Sequence, residues 1–129
     1  MSTKNILAIV VAFIWISISE FIRNSYLVHS HWIEHFGKLG IAFPEAPVNG
    51  AVWGLWSLVF AILIYTIYQR FTFLETFVIG WVVGFVMMWL VIGNLGVLPY
   101  SILPIAIPLS MLEVFLTIYL IKWISKKQV

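Results

Sequence analysis

Histidine and glutamate residues are clustered between the first and second apolar stretches of the chain. His31, Glu34 and His35 form the pattern H-x-x-E-H, the signature of inverted zinc peptidases. On a helix His31 and His35 share one face, so both could bind one Zn²⁺ while Glu34 acts as the base. The third ligand would be a distant carboxylate such as Glu45 or Glu113. The solvated face of an interfacial helix is the favoured explanation of the same residues.

A carboxylate within an apolar stretch is the second candidate. Glu113 lies about 11 residues into the last stretch, which is about 16 Å along a helix and near the centre of a bilayer. An ionised carboxylate at that depth is costly without a partner, so intramembrane acids face the protein interior and are usually functional. We therefore expect Glu113 inside the protein, within hydrogen-bonding or water-bridged reach of Arg23, Asn94 or another polar side chain.

Further polar residues fall near the same predicted end of the molecule and could form one pocket with Glu113. Arg23 is the expected counter-ion for Glu20, three residues earlier, or for Glu113 across the protein. The alternative is a purely structural role, in which these buried polar residues only fix how the helices pack. Asn49 can also be explained as a helix cap. The candidate binding residues are Glu20, Arg23, Asn49, Asn94, Ser110 and Glu113.

Four apolar stretches must position these residues. Hydrophobic residues make up 63% of the 129-residue chain and charged residues 9%, too much apolar surface for a small soluble domain to bury. Helices of about 20 apolar residues satisfy their own backbone in a bilayer. The sequence predicts an all-α integral membrane four-helix bundle, one domain over residues 1–129, with spans at about 5–22, 50–68, 73–97 and 102–124.

An extra amphipathic helix is predicted at about residues 21–36, because polar and apolar residues alternate there near the helical period. It could continue from the first span, with or without a bend near Asn24, and end at Gly37. Two prolines prevent a helix in the connector 40–47. The first stretch, preceded by Lys4, also fits a secretory signal, but we expect it to be a retained span.

The basic residues predict an orientation. Four spans place both termini on one side, and the other side receives only Arg23 and Lys38. By the positive-inside rule, the termini are predicted to be cytoplasmic, in a bacterial inner membrane, with segment 20–49 periplasmic. Membrane lipids are then the first partners, and the small, scattered net charge of +2 gives no reason to expect nucleic acid. The five basic residues on the terminal side are Lys4, Arg70, Lys122, Lys126 and Lys127.

Two glycine pairs have the spacing that lets helices approach closely. Gly50 and Gly54 belong to the second span, and Gly80 and Gly84 belong to the third. They predict contact between these two spans. The alternative is that these glycines form an interface with a second copy of the chain. A partner membrane protein is a further alternative.

Two further patterns concern helix starts. Thr72 and Glu75 match a capping box at the start of the third span, which explains Glu75 without a function. Ser110 and Glu113 have the same spacing. A helix that breaks at Pro108 and restarts at Ser110 would therefore give Glu113 a partly structural role.

The stretch Asn24-Ser25-Tyr26-Leu27, with Trp32 and then Lys38-Leu39-Gly40 after it, resembles part of a family of small four-span bacterial membrane proteins of unknown function. In that family the first span ends in an aromatic-Ser-Pro-Leu turn, followed by a tryptophan and a Gly-Leu pair. Tyr26 stands where the family has proline. The resemblance implies a compatible topology and no activity.

Three functions fit these observations. The first is a membrane protein whose outward-facing polar pocket binds or conducts a small ligand or ion. The second is a non-catalytic accessory or scaffold subunit, and the third is a metal-dependent enzyme using His31, Glu34 and His35. The chain has no cysteine, no P-loop and no nucleophile elbow, so we lean away from an enzyme.

Overall fold

The computed structural model describes residues 2–125, which form helices joined by short connections and contain no strand. The all-α prediction is confirmed for this part of the chain. Four helices are long and apolar enough to cross a membrane, and a shorter one follows the first. In chain order they are α1 (Thr3–Leu27), α2 (His29–Lys38), α3 (Pro47–Tyr68), α4 (Phe73–Asn94) and α5 (Tyr100–Ile124).

The first long helix extends beyond its predicted end. Its last turn, Arg23–Leu27, has π-helical geometry, at the place where a bend near Asn24 was considered. The chain then leaves the helical conformation at Val28, with φ −120° and ψ 10°, and α2 begins at His29. The amphipathic helix therefore covers His29–Lys38 rather than 21–36, and α1 itself carries Glu20 and Arg23.

The long helices pack in a closed set of pairs. α1 contacts α3 and α5, α4 contacts the same two helices, and α3 also contacts α5. Small residues of α1 let the branched side chains of its neighbours fill the centre, as close packing requires. The fully buried residues of this core include Ala8, Ala12, Ile16, Ala61, Ile64, Val114 and Ile118.

Of the two glycine pairs, the one in α4 mediates a helix contact within the described residues. A methyl group added at Gly80 would overlap Ile64, and one added at Gly84 would overlap Phe60. The predicted contact between α3 and α4 is therefore confirmed for the α4 pair. The positions of Gly50 and Gly54 have no neighbour within 4 Å, so that pair does not bring the two helices together.

The capping box predicted at the start of α4 is confirmed, whereas α3 begins at Pro47, three residues before the predicted start of its span. The Glu75 N–H donates to Thr72 Oγ1 at 3.2 Å, and the Thr72 N–H donates to Glu75 Oε2 at 2.9 Å. At the start of α3, the Ala46 N–H donates to Asn49 Oδ1 at 3.1 Å. Asn49 thus caps α3 from inside its first turn, and Ala46 is the N-cap residue.

The predicted restart of the last helix at Ser110 is wrong, because α5 continues through Pro108. Ser110 Oγ donates to the Ile107 carbonyl at 3.0 Å and accepts from Trp81 Nε1 at 2.9 Å. These bonds engage Ser110 within α5 and with α4. Glu113 is consequently not a helix cap, and its side chain is free for contacts between helices.

Candidate functional site

Arg23 lies between two carboxyl groups from different helices. Its Nη2 donates to Glu20 Oε1 at 2.6 Å, and its Nη1 donates to Glu113 Oε1 at 3.3 Å. The Glu113 residue is 0% exposed and Arg23 is 5% exposed. The predicted contact between Glu113 and Arg23 is confirmed. We call Glu20, Arg23 and Glu113 the ion cluster.

Irregular helix geometry surrounds this cluster on two sides. Arg23 is the first residue of the π-helical turn of α1, and a second π-helical turn, Val82–Val86, interrupts α4. Phe85 of that turn places its ring 5.4 Å from the Arg23 guanidinium carbon, a cation–π contact. Single π-helical turns are frequent at functional sites, and here the two turns meet at one guanidinium group.

The backbone beside the Glu113 side chain is also held by other groups. Trp15 Nε1 donates to the Glu113 carbonyl at 3.0 Å, and Thr117 Oγ1 donates to the same oxygen at 2.7 Å. Trp15 was not among the predicted site residues. The sequence feature that could have identified Trp15 is its indole N–H in the middle of an apolar helix, where a hydrogen-bond acceptor must come from the protein.

The two carboxyl groups have different surroundings. Glu20 Oε2 accepts from Asn24 Nδ2 at 3.0 Å, so both Glu20 oxygens have donors. Glu113 Oε2 is buried and has no hydrogen-bond partner among residues 2–125. Buried polar atoms are almost always hydrogen-bonded. The open oxygen of Glu113 is thus the chemically unusual atom of the cluster.

A short chain of hydrogen bonds joins the cluster to α2. Trp32 Nε1 donates to Asn24 Oδ1 at 3.2 Å, and Asn24 in turn contacts Glu20. The Trp32 ring stacks on Phe43 of the connector, with 5.5 Å between ring centroids. Because Asn24 is only half-buried, the Glu20 side of the cluster is nearer to the molecular surface than the Glu113 side.

A cavity of about 150 Å³ lies between α1 and α5 next to the cluster. Ser19 and Arg23 are its polar lining residues, and three of its apolar residues are about half exposed on the outside of the helices. The cavity therefore leads from the apolar surface toward the guanidinium group. Its apolar lining residues are Trp15, Ile22, Leu27, Leu109 and Leu112.

The other predicted binding residues do not join the ion cluster. Asn49 caps α3, and Ser110 is bonded to Trp81 and Ile107. Asn94 is exposed at the end of α4, where it lines a separate cavity of about 260 Å³. The structure thus brings together three of the six predicted residues.

The histidines of α2 contact different segments. His35 Nε2 donates to the Gly96 carbonyl at 2.8 Å, and His31 Nδ1 lies 2.8 Å from Ser101 Oγ. These contacts hold α2 to the α4–α5 connection at Gly96 and to the first turn of α5 at Ser101.

The remaining side chains near these histidines also have partners. His29 pairs with Glu45, and Glu34 pairs with Lys38 at 3.3 Å on the exposed face of α2. No group of three histidine, cysteine or acidic side chains suited to a metal occurs in residues 2–125. A zinc site at His31, Glu34 and His35 would require the histidines to leave their present partners and to recruit a further ligand.

Comparisons with protein-family models, curated proteins and solved structures give no match for this chain. The function must therefore be inferred from the residues of the chain itself. The relationship to a family of small four-span bacterial membrane proteins, suggested by the residues around Tyr26, stays a prediction.

Proposed function

We propose that the chain is a small integral protein of a bacterial inner membrane, in which α1, α3, α4 and α5 form a transmembrane four-helix bundle. The length and apolar composition of these helices support this proposal. The distribution of basic residues favours cytoplasmic termini. In this orientation α2 lies over the periplasmic end of the bundle, and membrane lipids surround the apolar outer surface.

Within this bundle the ion cluster is a buried polar site that binds a small ligand or ion and faces the periplasmic side through the half-buried Asn24. The observation that carries the proposal is the unpaired oxygen of Glu113. Arg23 is shared by two carboxyl groups, and Glu113 Oε2 has no hydrogen-bond donor among the described residues. A purely structural clasp would be expected to satisfy each buried oxygen, because an unpaired one costs stability.

A panel of small ions tests this site. Thermal unfolding of the detergent-purified protein should be measured with Na⁺, K⁺, ammonium, Mg²⁺, chloride and phosphate, and across pH, at constant ionic strength. We expect one of these conditions to raise the melting temperature saturably, because a ligand of the folded state stabilises it by mass action. Glu113→Gln should abolish that response and still unfold cooperatively. Glu75→Gln is the matched control, since Glu75 is an exposed capping residue.

The second candidate function is a non-catalytic accessory or scaffold subunit. It is favoured by the way Arg23 and Trp15 join α1 to α5 through Glu113. In this case no condition of the panel would stabilise the protein specifically, and Glu113→Gln would only lower its melting temperature. The uncovered face of α3 at Gly50 and Gly54 would then be the place to look for a second copy or a partner membrane protein.

The orientation has its own test, which is simple because the chain contains no cysteine. A cysteine introduced at Ser30, an exposed residue of α2, should react with a membrane-impermeant maleimide added to the periplasm. A cysteine at Thr3, exposed at the start of α1, should react only after the inner membrane is permeabilised. The reverse pattern would overturn the cytoplasmic assignment of the termini.

A further inference from the structure

We infer that the ion bound by the ion cluster is a proton, and that it resides on Glu113 Oε2. This inference rests on the proposed function and names the ligand of the same site. A proton on this oxygen leaves Arg23 paired with the Glu20 carboxylate and makes Glu113 a neutral acid.

The charge count of the cluster supports one proton. Two carboxylates and one guanidinium group carry a net charge of −1 when all three are ionised. Glu20 and Arg23 are almost completely buried, and Glu113 is fully buried. An uncompensated charge in such surroundings is strongly unfavourable. One bound proton reduces the net charge of the cluster to zero.

The hydrogen bonds place the proton on Glu113 rather than on Glu20. Both oxygens of Glu20 accept from donors, Arg23 and Asn24, and such bonds favour the ionised form. Glu113 has one longer contact with Arg23 and one open oxygen. The carboxyl group with fewer donors is the one that takes the proton.

The remaining titratable groups on the helices that pack against α5 do not replace these two. Within the described residues, Arg23 is the ion-pair partner of the Glu113 side chain, and Glu20 shares the same guanidinium group. The carboxyl group of Glu75 is engaged by the Thr72 N–H. The other titratable residues of α1, α3, α4 and α5 are Lys4, Tyr26, Tyr65, Tyr68, Tyr100, Tyr119 and Lys122.

A metal cation fits this place less well than a proton. Hard cations such as Mg²⁺ and Ca²⁺ require several oxygen ligands, whereas the cluster offers one open carboxyl oxygen. The Arg23 guanidinium group, 3.3 Å from the other oxygen of Glu113, already occupies the position that a cation would take between the carboxyl groups. A proton needs one oxygen only.

Infrared spectroscopy of the full-length protein in lipid nanodiscs tests the inference. The chain has five acidic residues, all glutamates, so carboxyl bands can be assigned by substitution. We expect the carbonyl stretch of about one protonated carboxyl group per chain at pH 7. The band should shift in D₂O, disappear in Glu113→Gln and persist in the control Glu75→Gln.

Two results would overturn the inference. One is the absence of a protonated-carboxyl band at pH 7 in the folded protein. The other is a band that Glu113→Gln leaves intact. If Glu113→Gln fails to fold, Glu113→Asp provides the test, because it should change the frequency of the band if the proton is on this residue. Stabilisation by a metal ion without a carboxyl band would refute the proton and leave the proposed site standing.

Discussion

Replacing Arg23 by methionine is expected to destabilise the protein by about 3–5 kcal/mol, the usual cost of removing one partner from a buried ion pair. The guanidinium group is the donor that Glu20 and Glu113 share, at 2.6 Å and 3.3 Å. Methionine fills much of the same volume, so the loss reports charge and hydrogen bonding rather than a cavity. Without Arg23, two buried carboxyl groups remain with no cation between them.

Thermal unfolding in detergent, followed by tryptophan fluorescence, measures this effect. Arg70→Met is the matched control, because Arg70 is exposed in the connection between α3 and α4 and should contribute little. Arg23→Lys should be intermediate, since an ammonium group lacks the planar fork that reaches both carboxyl groups. Adding Glu20→Gln to Arg23→Met should restore part of the stability, because it removes the buried carboxylate that Arg23 compensates. A wild-type melting temperature for Arg23→Met would refute the buried arrangement of the ion cluster.

The elements that the sequence predicts well are those that depend on composition alone. Apolar stretches of sufficient length and the prolines and glycines between them place the four long helices to within a few residues. The end of α1 was predicted less well, because the π-helical turn at Arg23–Leu27 continues the helix with residues whose pattern is already amphipathic. Amphipathic character marks a surface environment, and it does not tell where one helix ends and another begins.

The contact between Glu113 and Arg23 could be predicted because few residues of the chain can solvate a carboxyl group inside an apolar helix. A carboxyl group deep in an apolar helix requires a polar partner, and of the two basic residues on the predicted outer side, Arg23 and Lys38, only Arg23 adjoins a span. Asn94 was an equally plausible partner from its position along the chain. In the structure Asn94 lies at the exposed end of α4. The sequence indicates how deep a residue lies along a helix, whereas the face on which it lies and its neighbours depend on packing.

The histidines illustrate the same limit. The predicted shared helix is present, since His31 and His35 both lie in α2. Their partners are Ser101 and the Gly96 carbonyl of a distant connection, and no local pattern specifies that docking. The contact between Arg23 and Phe85 could not be predicted from the sequence either, because it depends on two π-helical turns in different helices.

Replacing Phe85 by alanine should destabilise the protein by an amount at the lower end of about 3–5 kcal/mol, the usual cost of truncating a buried aromatic residue. The Phe85 ring is 1% exposed and has Trp56, Phe60 and Trp89 within 5.9 Å between ring centroids. In a membrane the lost contacts are mainly van der Waals contacts, because lipid is as apolar as the protein core. That is why we expect the lower end.

Phe115→Ala is the matched control, because Phe115 is also an aromatic residue of a long helix but is 46% exposed. Its loss should change the melting temperature much less, since lipid or detergent can fill the space. Phe85→Leu separates volume from aromatic character: it keeps most of the packing but removes the ring under the Arg23 guanidinium group. It should cost about 1 kcal/mol, within the range of a cation–π contact. If Phe85→Ala and Phe115→Ala unfold at the same temperature, then α4 does not pack against the ion cluster, and the second π-helical turn has no role in positioning Arg23.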